Sequence, residues 1–132
     1  MSTPPYTLRN LADVDDAAPE NGLGEFWEAR VARTALNAEQ TGVALFRLKP
    51  GRRSAFAHRH DQAEEIYVVL RGRGRVKLDD EIVEVGPLDA VRVAPRVVRA
   101  FEADADGLDF LAFGAHHARD GELVDDGWAG PS

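Results

Sequence analysis

His58 and His60 stand two residues apart, and Glu65 follows five residues later, in the stretch GRRSAFAHRHDQAEEIYVVLRG that runs from Gly51 to Gly72. In an extended segment residues i and i+2 share a face, so both imidazoles point the same way. Glu65 opens the next apolar segment after the short link from Asp61 to Glu64, and a return hairpin could carry its carboxylate beside the two imidazoles. Glu64 would face the opposite side. Two imidazoles and one carboxylate on one face suit a borderline divalent metal such as zinc, iron, nickel or manganese, with positions left open for substrate or water. Tyr67 shares the strand face of Glu65, which makes it a candidate donor or acid beside the set.

The elements that must position these residues read as short strands. From Phe26 the chain breaks into apolar segments, Phe26 to Leu36, Val43 to Lys49, Ile66 to Leu70, Arg75 to Leu78, Ile82 to Val85, Ala90 to Val93, Val97 to Phe101 and Leu108 to Phe113. Pro50-Gly51, Gly72 to Gly74, Asp79-Asp80-Glu81 and Gly86-Pro87 punctuate them, and β-branched or aromatic residues alternate with others inside them. About eight strands in some 90 residues imply an all-β antiparallel sandwich or barrel. Glu25 to Gln40, rich in Ala, Glu and Arg, is the one stretch that also fits a helix. Residues 1–24, rich in Pro, Asp, Asn and Gly, read as an irregular N-terminal arm; residues 25–115 make the barrel domain, and 116–132 a polar, Gly-rich tail. Trp27 and Trp128 are expected to cover apolar surface, at a subunit contact if there is one.

The stretch from Gly51 to Gly72 resembles the first motif of the cupin superfamily, G-x5-H-x-H-x3,4-E-x6-G. Here it reads Gly51, six residues, His58, Arg59, His60, four residues, Glu65, six residues, Gly72, with one residue more than the pattern after the first Gly. The resemblance covers roughly Val43 to Gly114 and implies a double-stranded β-helix, or jelly-roll barrel, with its site in the lumen. It also implies a homodimer, for which the segment Phe26 to Leu36 is a candidate pairing strand. The family's second motif, G-x5-P-x-G-x2-H-x3-N, falls on residues 88 to 103, where Leu88, Ala94, Arg96 and Ala103 take the places of Gly, Pro, Gly and Asn. Arg99 stands where the family has a fourth metal ligand, a histidine.

A guanidinium is a permanent cation with donors only and cannot ligate a metal. Aimed into the lumen, it would oppose each unit of metal charge by ~4 kcal/mol at ~4 Å and an effective dielectric of ~20. Two readings stay open. In one, His58, His60 and Glu65 hold a divalent transition metal, Arg99 lies farther out as the anchor of a small anionic substrate, and Tyr67 and Phe101 contact that substrate. The resemblance then implies metal-assisted dioxygenation, isomerisation or lyase chemistry, with Tyr67 and Arg99 as catalytic groups and no organic cofactor. In the other, Arg99 pairs with Glu65 in place of a metal, and the pocket belongs to a non-enzymatic binding or sensing protein. His116 and His117, adjacent on the tail, would face opposite ways on a strand; one could replace the missing ligand, though a solvated tail is the simpler expectation.

Composition narrows the partners. The chain has 132 residues, 16 Lys and Arg, 23 Asp and Glu and no cysteine, for a net charge of -7. A metal must therefore sit on His and carboxylate, and non-specific attraction to nucleic acid or an anionic membrane is disfavoured. The run Arg71-Gly72-Arg73-Gly74-Arg75 lacks the interleaved aromatic residues of a single-strand reader and reads as a hairpin with solvated arginines. MSTPPYTLRN has no charged stretch leading into an apolar one, and no apolar run approaches ~18 residues, so a soluble, cytoplasmic protein is expected. Between Arg47 and Arg99, 12 basic residues face 8 acidic ones. The pocket-building segment is locally basic, which favours an anionic small molecule as ligand.

Overall fold

The computed structural model describes residues 4–117 and 119–124. Eight strands follow in order: β1 (Trp27–Val31), β2 (Thr41–Leu48), β3 (Ala57–His60), β4 (Glu65–Leu78), β5 (Glu81–Val85), β6 (Ala90–Val93), β7 (Arg99–Ala115) and β8 (Gly121–Val124). Every pairing is antiparallel. The strands run in the order β1-β2-β7-β3-β8, with β4 laid along β7 and itself carrying β5 and β6. The result is an all-β antiparallel barrel, as the spacing of short strands led one to expect, in the jelly-roll form that the cupin resemblance implies. Among the described residues there is no α-helix, and no helix is long and apolar enough to cross a membrane.

Two strands are longer than their sequence suggests, for one shared reason. On β4, Tyr67 and Val69 are buried, then Gly74 and Val76; on β7, Phe101 and Ala103 are buried, then Leu108, Phe110 and Ala112. The buried parity switches midway along each strand, where the β4–β7 register shifts between Val69 and Arg71 and between Gly72 and Gly74. These irregularities re-aim the side chains so that one strand serves two parts of the barrel wall. Gly72, at φ 84°, makes the bend feasible, because a Cβ there would lie 2.0 Å from the carbonyl oxygen of Gly107. The run from Arg71 to Arg75 is thus a bend inside one strand rather than a hairpin. Its arginines are not a free basic patch, since Arg71 Nε meets Asp109 Oδ2 at 3.0 Å and Arg75 Nε meets Glu102 Oε1 at 2.9 Å.

The core is an aromatic stack on these long strands. Phe101 and Phe110 lie 4.2 Å apart between ring centroids, Phe46 adds to Phe110 at 5.4 Å, and Tyr67 tilts against Phe101 at 5.0 Å. Trp27, buried on β1, packs edge-on against Phe56 and tilts onto Phe46. The helical alternative for Glu25 to Gln40 is not adopted: Trp27–Val31 alternates buried and part-exposed residues against β2, and the remainder turns back to β2. β1 is an end strand, with β2 as its strand partner among the described residues.

The N-terminal arm is irregular yet docked. Asp16 Oδ1 accepts from the amides of Ala18 (3.0 Å) and Ala29 (2.9 Å), the Ala17 amide donates to the Ala29 carbonyl, and Ala18 is buried in the core. The tail also contributes structure, because Gly121–Val124 pairs with β3 as an added strand that a polar, Gly-rich segment did not announce. Trp128 lies outside the described residues.

Candidate metal centre

His58 and His60 sit on β3 with one residue between them, so the pleat sends both rings to the same side. Glu65 begins β4 after the turn at Asp61–Glu64, and the return brings its carboxylate back to the pair. Glu65 Oε1 lies 3.2 Å from His58 Nε2 and 3.2 Å from His60 Nε2. The three ligand atoms fall within 4.8 Å of one another, and among the described residues this is the one such group. They line a cavity of about 460 Å³ together with Phe46, Phe56 and Tyr67.

The donor set fits a divalent metal. Both ring nitrogens of His60 are buried outside hydrogen-bond geometry, and Nε2, turned toward Glu65, is an unmet polar atom of the kind a ligand or ion relieves. On the far side of the same ring, Nδ1 lies 3.3 Å from Asp120 Oδ2. Asp120 is itself fixed, its two oxygens accepting from the amides of Gln62 (2.8 Å) and Ala63 (2.9 Å). A carboxylate close behind one ring nitrogen favours the tautomer with its proton there, which leaves the other nitrogen's lone pair for a metal. Asp120 comes from the tail, sixty positions beyond His60, and no local pattern in the sequence marks it.

Glu65 is primed as an anion. Burial favours its neutral form, but the His58 and His60 imidazoles and the Tyr67 hydroxyl gathered around it outweigh burial and hold the carboxyl well below the usual carboxylate range. The Tyr67 hydroxyl, 2.5 Å from Glu65 Oε1 and 3.4 Å from His58 Nε2, is pushed up by burial and by the Glu65 charge. It therefore keeps its proton and serves as a donor. Gly114, the β7 partner of Glu65, leaves room for that side chain, since a Cβ there would press on Glu65 Cγ at 3.3 Å.

Arg99 is placed differently from Tyr67. Its side chain is 0% exposed, with Nη1 donating to the Pro95 carbonyl (3.3 Å) and Nη2 to that of Ala94 (3.2 Å), while Nε stands 3.8 Å from Glu65 Oε1. Arg99 lies behind Glu65, off the cavity wall. Phe101 is also off the wall, in the aromatic stack that backs the Tyr67 ring. His116 does reach the cavity wall, but it is not grouped with the three ligands. Arg33, which no motif in the sequence singled out, lines the cavity as well.

Structures of like fold share this architecture. A cupin protein from Bacteroides fragilis superposes with a TM-score of 0.70 at 24% identity, over 89% of each chain. A polyketide cyclase from Streptomyces resistomycificus gives 0.71 at 20% identity, over 89% of this chain and 84% of the other. A sugar phosphate isomerase from Silicibacter pomeroyi gives 0.70 at 16% identity, over 96% and 97%. At these identities the likeness is one of fold. No curated protein matches the sequence. The Cupin domain family profile matches residues 44–112, which spans β2 through most of β7 and includes all three candidate ligands, so the chain belongs to the cupin family.

Proposed function

We propose that the cavity holds a divalent transition metal on His58, His60 and Glu65 and acts on a small anionic molecule beside it, in chemistry of the isomerase, dioxygenase or lyase kind. The observation that carries this reading is the meeting of two imidazole Nε2 atoms and one ionised carboxylate oxygen on the wall of a sizeable cavity, with His60 braced from behind by Asp120. A bound divalent ion supplies Lewis acidity toward a substrate oxygen. The chain's residues supply the rest. Asp120 orients His60, Tyr67 holds a proton at the site, and Phe46 and Phe56 give the cavity apolar walls that strengthen electrostatic interactions inside it. Arg99 acts on Glu65 from behind, as a buried counter-charge to the carboxylate.

A metal-free binding protein is the second reading, favoured by the Tyr67 and Arg99 groups that already attend Glu65. Elemental analysis after reconstitution with Zn²⁺, Mn²⁺, Fe²⁺ or Ni²⁺ separates the two. The metal reading requires about one equivalent in the wild type and loss of it in Glu65→Ala. Absence of stoichiometric metal from the reconstituted wild type leaves the binding protein.

A further inference from the structure

Arg33 follows β1 by two residues and runs along the cavity wall. Gly42 makes space for it, since a Cβ there would stand 3.4 Å from Arg33 Cβ, 3.7 Å from Cγ and 3.8 Å from Cδ. Gly42 on β2 is the register partner of Gly114 on β7, and Gly114 is the partner of Glu65 on β4. Two glycines on adjacent strands therefore floor the wall between Arg33 and the metal ligands. Two strand spacings put the backbones of Gly42 and Glu65 about 10 Å apart, and the Arg33 and Glu65 side chains border the space between them.

The guanidinium is unclaimed among the described residues. Arg33 Nε is buried without a hydrogen-bond partner, and no described residue accepts a hydrogen bond from the side chain or forms an ion pair with it. Arg30, Arg71 and Arg92 by contrast pair with Glu28, Asp109 and Glu64. Glu122, the other carboxylate on the wall besides Glu65, is taken by Arg59 at 3.0 Å. Arg33 lines a largely apolar cavity with a guanidinium whose buried Nε lacks the acceptor it would have in water, and a carboxylate presents two oxygens in the fork that a guanidinium matches.

We propose that Arg33 is the anion-recognition residue of the cavity, taking the carboxylate of a small organic acid whose other end lies at His58, His60 and Glu65. The proposal rests on the reading of the cavity as a small-molecule site and gives its substrate class. Arg33 fills the role that the sequence suggested for Arg99, whose nitrogens are committed to the Ala94 and Pro95 carbonyls and to the neighbourhood of Glu65.

Calorimetric titration tests it with malonate, succinate and glutarate, with succinamide as the uncharged control and inorganic phosphate as a second anion. Metal-free and Zn²⁺-loaded protein are both titrated, as wild type, Arg33→Gln and Arg33→Lys. The proposal requires that at least one diacid bind the wild type, that succinamide not bind, and that Arg33→Gln weaken the diacid by about tenfold or more, with Arg33→Lys between them. Neither Zn²⁺ affinity nor the thermal midpoint should fall in Arg33→Gln relative to wild type. Equal diacid affinity in the two proteins, equal binding of succinamide, or no response to any diacid overturns it, and phosphate binding in place of the diacids overturns the carboxylate class. Failure of Zn²⁺ to bind the wild type, with the diacid still sensitive to Arg33, removes the metal reading and supports Arg33.

Discussion

His60 Nδ1 lies 3.3 Å from Asp120 Oδ2, and Asp120 is held in place by the amides of Gln62 and Ala63, so the residue that orients one candidate ligand also ties the tail to the turn before β4. The ligand set and the β3–β8 pairing are one construction. Outer carboxylates of this kind typically contribute 10–100-fold in metal affinity. Asp120→Asn, which retains one acceptor oxygen for the backbone amides, should therefore weaken Zn²⁺ binding by about 10–100-fold while keeping the fold. Competition against a chromophoric chelator measures the affinity, and far-UV circular dichroism checks the fold.

Arg99 is the Cα partner of His58 across β3 and β7, which puts position 99 next to a metal ligand. The family pattern has a histidine at this position, and an imidazole lacks the permanent charge and offers a lone pair. Arg99→His should raise Zn²⁺ affinity by roughly tenfold or more, since a fourth ligand completes a tetrahedral set and a nearby cation is removed. It should also lower stability, because the guanidinium's hydrogen bonds to Pro95 and Ala94 are lost from a fully buried position. Unchanged or weaker Zn²⁺ binding in a folded Arg99→His protein would show that position 99 does not address the ligand set.

What the sequence revealed of this site was its local part. His58, His60 and Glu65 are joined by one turn, so strand alternation and a short return suffice to place them together. Asp120 stands behind His60 on the approach to β8, and Arg33 reaches the cavity past the end of β1; both are set against the ligands by the β3–β8, β2–β7 and β4–β7 pairings, which join residues far apart in the sequence and leave no short-range pattern. The position of Arg99 was legible from the second motif, but its direction was not, because whether a buried guanidinium faces the lumen depends on which carbonyls lie behind it. In β4 the two glycines at 72 and 74 resembled a hairpin. The distinguishing signal was the change in parity of the apolar residues, from Tyr67 and Val69 to Val76, which a bend within one strand produces.

Leu88 occupies the place of the second motif's glycine and adopts φ 69°, in the left-handed region that costs a branched L residue roughly 1 kcal/mol or more. The residue is 80% exposed, so little packing offsets that cost. The amide donates to the Val69 carbonyl at 2.8 Å, a bond that glycine would keep. Leu88→Gly should raise stability by about 1 kcal/mol, less the chain entropy glycine gains on unfolding. Urea denaturation should show a higher midpoint with an unchanged slope.

Glu102 provides a stability switch away from the cavity. Its carboxylate receives Arg53 Nε at 2.7 Å and Arg75 Nε at 2.9 Å. Burial works to raise its pKa, but the two guanidinium partners outweigh burial and hold it below the ordinary 4.5. Because the unfolded chain takes up this proton at a higher pH than the folded one, the contribution is complete above 4.5 and is lost as pH falls through the lower, folded value. Glu102→Gln should therefore be less stable than wild type at neutral pH, and the gap should close as the solution is acidified below 4.5. Parallel urea denaturations of the two proteins across that range measure it. A gap that stayed constant down to the acid limit would mean that the two arginines hold Glu102 by hydrogen-bond geometry alone, with no difference in proton affinity between the folded and unfolded chains.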